Sequence, residues 1–254
     1  MTGVAIEVAA IELPQRFGDP AGALAEVGGV LGSEAVRGVE LALLPEAILT
    51  GYVSPRGDFD LRPFAESLDG PTAGALAELA RRHGLAVAGP LIEEDGGRFY
   101  NTLLLFDREG ALAGRWRKRH PWFPERWASP GDLGTPVVEL LGLRVTAAIC
   151  FDVHFLSEDA GAALDRADVL LFPTAWVDEP GGGDLRAELL PPLARRHRVA
   201  VVNANWAPSR PPLPGQGRSR VLDARGRVLA EAPPGRGARV VRATLGPAKP
   251  ARRG

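Results

Sequence analysis

The chain of 254 residues is short of several things, and each shortage excludes something. It holds a single cysteine, Cys150, so no internal disulfide can form; a lone thiol is compatible with a reducing compartment. It has no apolar run of bilayer-spanning length, and its start, MTGVAIEVAAIELPQ, lacks a basic n-region and is interrupted by Glu7 and Glu12. The expected location is therefore the cytoplasm, with no membrane partner. It lacks an excess of charge of either sign: the formal net charge is −1 and the two signs are interspersed, so no nucleic-acid footprint is visible and a small molecule is the expected partner. Lysine is scarce as well. Of 30 basic residues only Lys118 and Lys249 are lysines, and a lysine retained inside GRWRKRHPW points to a need for a compact ammonium, which a guanidinium cannot imitate.

What is present is an alternation of apolar runs and helical patterns. β-like runs occur at 4–11, 39–45, 85–92, 100–107, 143–151, 168–173 and 199–205, several of them apolar on both faces, as expected of interior sheet covered on each side. Helical patterns fall at 20–31, 71–83, 155–166 and 184–197, the second opened by Pro71 and closed by Gly84. The class is α/β. Polar, glycine-containing turns at Asp107–Gly110 and Asp223–Gly226 predict two hairpins, hence mixed sheets. Proline and glycine gather at 54–63, 178–184 and 207–217, none with the composition of an interdomain linker, and no repeat is found; one domain over 1–254 is expected.

Cys150 ends the apolar run RVTAAIC, two residues before Asp152 and four before His154, a place at the carboxyl edge of a sheet where sites form. Two readings stay open from this residue alone, a small core hydrophobe and a nucleophile. His83 and His197 each end a predicted helix in an arginine-rich turn and read as solvated residues favoured by the helix dipole. His154 with Cys150 and Asp152 makes a metal half-site that no second cluster completes, so no metal and no cofactor is expected. Glu46, in LALLPEAILTGY, follows a buried strand and a proline that cannot continue the ladder. Glu46 and Lys118 are either solvated charges or the base and cation that a thiol needs.

Three segments in this order, LLPEAILTGY, GRWRKRHPWFPERWASPGD and AAICFDVHFLSE, resemble the nitrilase or carbon–nitrogen hydrolase superfamily, with YNTLLLFDREG, LLFPTAW and LARRHRVAVVNANW as supporting matches over nearly the whole chain. The resemblance implies a four-layer α-β-β-α sandwich with two mixed β-sheets, and a homodimer by analogy. It implies a thiol hydrolase of a non-peptide carbon–nitrogen bond in a small amide, N-carbamoyl compound or nitrile. Cys150 would be the nucleophile, Glu46 the general base and Lys118 the cation facing the tetrahedral intermediate. Glu125 would orient substrate or lysine, and the backbone N–H of Phe151 would be a second oxyanion donor. His154 and FLSE replace the family's Arg and Phe-Pro-Glu, so the substrate-facing turn is altered. Trp122, Trp127, Trp176 and Trp206 fall in loops expected near this edge, as pocket walls or as packing. Two rival functions remain: acyl transfer to an amine, and an inactive scaffold displaying SRPPLP (209–214) as a polyproline II ligand.

Overall fold

A computed structural model describes residues 5–177, 183–209 and 213–249. Two six-stranded sheets lie face to face. The first joins β1 (Ile6–Glu12), β2 (Leu41–Leu43), β3 (Ala86–Asp95), β4 (Arg98–Phe106) and β5 (Leu112–Arg117), with the last strand of the chain, β12 (Arg239–Leu245), outside β1. The second runs β11 (Val228–Glu231), β10 (Arg220–Leu222), β9 (Ala200–Ala204), β8 (Val169–Pro173), β7 (Leu143–Ala147) and β6 (Val138–Leu140). Each sheet has a parallel centre, β1–β2–β3 and β7–β8–β9, with antiparallel flanks. The expected mixed character follows from this.

Strand periodicity builds the layers. Ile6, Val8, Ala10, Leu41, Leu43, Leu103 and Leu105 of the first sheet meet Val145, Ala147, Val169, Leu171, Val202 and Val221 of the second in one dry cluster. The alternate residues face outward. Ala9, Ile11, Ala42, Val87 and Leu104 pack against α1 (Pro20–Leu31) and α2 (Pro71–His83). Leu170, Phe172 and Val201 pack against α5 (Leu185–His197) and the short helices α3 (Leu156–Asp159) and α4 (Gly161–Leu164). Both faces of each central strand are therefore buried, the physical reason for their uninterrupted apolar runs. The result is the α-β-β-α sandwich.

Both expected hairpins form, β4–β5 and β10–β11. Two more were not anticipated. β3 and β4 are joined through Gly96 and Gly97, both at positive φ (61° and 77°), the requirement of a tight primed turn, and β6–β7 turns through Leu141 and Gly142. The helix expected over 155–166 is broken at Ala160, whose φ of −128° leaves the helical region, and is preceded by a 3₁₀ turn over Cys150–His154. The strand expected to reach 151 stops at Ala147.

Candidate active site

Glu46, Lys118 and Cys150 each sit just past the end of a strand. Leu44 donates the last sheet hydrogen bond of its segment, to Ala88 (2.8 Å), and Pro45 has no N–H to continue it. The chain then turns, and Glu46 enters the interior at 1 % exposure instead of facing solvent. Its backbone carbonyl accepts a hydrogen bond from Nε1 of Trp206 (2.8 Å), which ties this turn to the opposite sheet. Lys118, also 1 % exposed, follows β5: its N–H donates to Asn101 O and its carbonyl accepts from Gly131 N–H, both at 2.8 Å. Glycine is required there, since a Cβ at 131 would lie 2.4 Å from the Arg117 carbonyl. Arg117 fixes the strand end from the other side, paired with Glu93, Asp95 and Asp132 and stacked 3.6 Å from the centre of the Tyr100 ring.

Past β7, Asp152 closes the cysteine turn. Its carboxylate accepts from Ile149 N–H (3.0 Å) and from His120 N–H (2.8 Å), so it holds the cysteine segment against the lysine segment. Cys150 is left with φ of +46°, in the left-handed region that non-glycine residues enter only when the surroundings hold them.

Lys118 Nζ donates to Glu46 Oε1 at 2.7 Å and to Glu125 Oε2 at 2.6 Å. Asn101 Nδ2 bridges the same two carboxylates, at 2.8 and 2.7 Å, and Trp122 N–H donates to Glu125 Oε2 at 2.6 Å. One ammonium thus serves two acids. Among the described residues Glu46 Oε2 has no hydrogen-bond partner, and the Cys150 thiol lies against this carboxylate. Both open onto a cavity of about 370 Å³ walled by Tyr52, Trp122, Phe151, His154 and Trp176, with Leu185 and Gln216.

Burial pulls the Lys118 pKa down, but the adjacent Glu125 and Glu46 carboxylates outweigh it and drive it up. Glu46 is also raised, by burial first and by the like charge of Glu125, with Lys118 opposing. Burial pushes the Cys150 thiol well up and the Glu46 charge adds to this, while Lys118 and the Ala175 N–H pull down. Burial and the Glu46 charge together favour the protonated sulfur at rest.

The structure brings Glu46, Lys118, Cys150 and Glu125 together and places Trp122, Phe151, His154 and Trp176 on the cavity. Trp127 and Trp206 do not line it; both pack into the core between the first sheet and its helices. His197 is corrected: it is 5 % exposed, bonded through Nδ1 to Asp165 (2.8 Å), because α5 packs its last turn onto the α3–α4 segment. His83 is half-buried, with Nε2 enclosed. Residues 210–212 of SRPPLP lie outside the described residues. Asn101, Tyr52 and Gln216 were not anticipated, and Asp152 had entered only as part of a metal half-site; the available signal was an amide at 101 ahead of an apolar run.

Among the described residues no helix is long and apolar enough to cross a membrane. Compared with known proteins, the chain is 31% identical over 249 residues to an (R)-stereoselective amidase of Pseudomonas sp., covering 98% of this chain and 88% of that protein. It is 27% identical over 233 residues to a nitrilase of Pyrococcus abyssi, covering 89% and 85%. An amidase from Nesterenkonia sp. shares the fold with a TM-score of 0.81 at 24% identity, over 97% of this chain and 92% of that one. The profile of the carbon-nitrogen hydrolase family matches residues 7–249, and with that match the chain belongs to the family and is a carbon–nitrogen hydrolase of the nitrilase superfamily.

Proposed function

We propose that the protein hydrolyses small amides through a thioester on Cys150. The observation that carries this reading is the single buried ammonium of Lys118, held by Glu46 and Glu125 beside the chain's one thiol on an open cavity. Glu46 Oε2 takes the thiol proton as sulfur attacks the amide carbon, so no resting thiolate is needed. The carbonyl electrons move onto oxygen, and Lys118 Nζ with the Phe151 N–H stabilises the oxyanion. Collapse breaks the C–N bond, and the amine leaves with the proton from Glu46. Water then gives its proton to Glu46 and attacks the thioester. The acid departs and the sulfur recovers its proton. Glu125 and Asn101 act by position, holding the ammonium where negative charge develops. The small-amide assignment draws on the relative named as an amidase; location in the cytoplasm and assembly as a homodimer belong to the same reading.

The test is ammonia release from a panel of small amides, N-carbamoyl compounds and nitriles, with intact mass after brief substrate exposure. The expected result is turnover of amides, an acyl adduct absent in Cys150→Ala, and a loss of about 10²–10³ in kcat for Lys118→Arg with an unchanged melting temperature. Ammonia release surviving in Cys150→Ala, or none from any member of the panel, defeats the reading.

A further inference from the structure

The cavity walls carry information about the group attached to the reacting carbonyl. Among the described lining residues there is no arginine or lysine, and the Lys118 ammonium is committed to Glu46, Glu125 and the reacting carbonyl. Tyr52, Trp122, Phe151, Trp176 and Leu185 present apolar surface. Among the described lining residues a carboxylate on the substrate would find only the His154 imidazole to pair it, which is costly in such surroundings.

Gln216 gives the cavity a limit. Its N–H donates to Trp176 O (2.9 Å), and the neighbouring Gly215 bridges to Val177, so this loop is docked on the segment that carries Trp176. Its side chain is held at both ends. Oε1 accepts from Nη2 of Arg186 (2.9 Å), and Nε2 donates to Gly183 O (3.3 Å). Arg186 is itself fully buried and fixed by Asn203 Oδ1 (3.0 Å) and Gly217 O (2.8 Å), so the amide of Gln216 has little freedom to swing. Gln216 and Gly183 border two spaces: the catalytic cavity, and a neighbouring chamber, also of about 370 Å³, reached by Glu12, Asp184, Pro208 and Pro233. The Gln216–Gly183 contact is thus a partition between them.

We propose that Gln216 sets the length of the acyl site, and that the substrates are uncharged carboxamides whose apolar acyl group ends against it. This rests on the hydrolase reading. With the partition in place each added methylene raises kcat/KM by about four-fold until the chain meets Gln216, after which the value falls. With the partition removed the chain can continue into the second chamber.

The experiment measures kcat/KM for unbranched amides from acetamide to decanamide, and for succinamate as an anionic amide, with the wild type, Gln216→Ala and Gln216→Glu. In parallel, thermal shift reports binding of the same compounds to Cys150→Ala and to Cys150→Ala/Gln216→Ala. The wild type should show an optimum in length and a loss of about 100-fold or more for succinamate against butyramide. Gln216→Ala should move the optimum outward by several carbons, with at least a ten-fold gain for the longest amides relative to butyramide. Gln216→Glu loses the N–H to Gly183 O but keeps the reach and the acceptor for Arg186, and by its bulk should keep the wild-type limit. An unchanged length profile in Gln216→Ala, a shift of equal size in Gln216→Glu, or good use of succinamate overturns the proposal. If no variant turns over any amide but the binding optimum still moves with Gln216→Ala, the partition stands and the hydrolase reading falls.

Discussion

At the scale of single residues, the site is a problem of charge held out of water. A buried ammonium loses several kcal/mol of hydration, and one carboxylate at hydrogen-bond distance returns an attraction of the same order. Lys118 has two such carboxylates and stays charged; each acid in turn has Asn101 as a neutral donor. The arrangement fixes the expected pH dependence. Because burial raises Glu46 above the ordinary glutamate value of 4.5, protonation would remove the proposed base as pH falls, and kcat/KM should drop along an acid limb with an apparent pKa above 4.5. Lys118 and Cys150 are both shifted upward, so no alkaline limb is expected below pH about 9. A kcat/KM profile with its acid limb at or below 4.5 would show that Glu46 is not the base. Lys118 was legible in the sequence because arginine is nearly universal around it, and Cys150 because it stands alone. Asn101 and Tyr52 were not, since a polar atom aimed at a site and one aimed at a neighbouring strand look alike in a string of letters.

Strand ends decide where the side chains point. β2, β5 and β7 each stop one to three residues before the group that matters, and each stop has a local cause: a proline without N–H, a clamp by Asn101 and Gly131, and the Asp152 carboxylate capturing two N–H groups. Asp152 is the most instructive of these. Burial, opposed by its two N–H donors, lifts its carboxyl to about 6, and its acceptors are what keep Cys150 in a conformation it would not choose. Asp152→Asn keeps the shape but leaves one N–H facing an NH₂ group. It should lower kcat by about ten-fold or more and stability by about 1–3 kcal/mol, read by ammonia release and urea unfolding. Full activity in that variant would mean the turn is held by something else. The central strands and long helices were readable because burial on both faces imposes continuous apolar runs. β6 and β12 were not: they are short or edge strands, and in RVVRATL the interleaved arginines of β12 hide its inward residues. The break at Ala160 was hidden too, since alanine favours the helix and only tertiary packing interrupts it.

For the whole molecule, the decisive fact is that the site straddles both sheets. Glu46 and Lys118 follow strands of the first, Cys150 and Trp176 follow strands of the second, and Trp206 reaches back across to the Glu46 carbonyl. In their shared core the sheets meet through apolar side chains without directional bonds, and such bonds join them at the rim, as from Ala207 N–H to Leu13 O (2.8 Å) and from His120 N–H to Asp152. The relative position of thiol and carboxylate therefore depends on a non-directional core kept in register by those rim bonds. In a urea titration, ammonia release should fail at lower urea than the loss of far-ultraviolet circular dichroism, because a small slip between sheets separates sulfur from Oε2 before any hydrogen-bonded ladder opens. Coincident transitions would contradict this. The tryptophan-to-carbonyl strut then takes on a meaning beyond its own strength: with the Asp152–His120 clamp it is a directional fastener that spans the greasy joint beside the reaction centre, so catalysis registers misalignment of the two halves long before spectroscopy does.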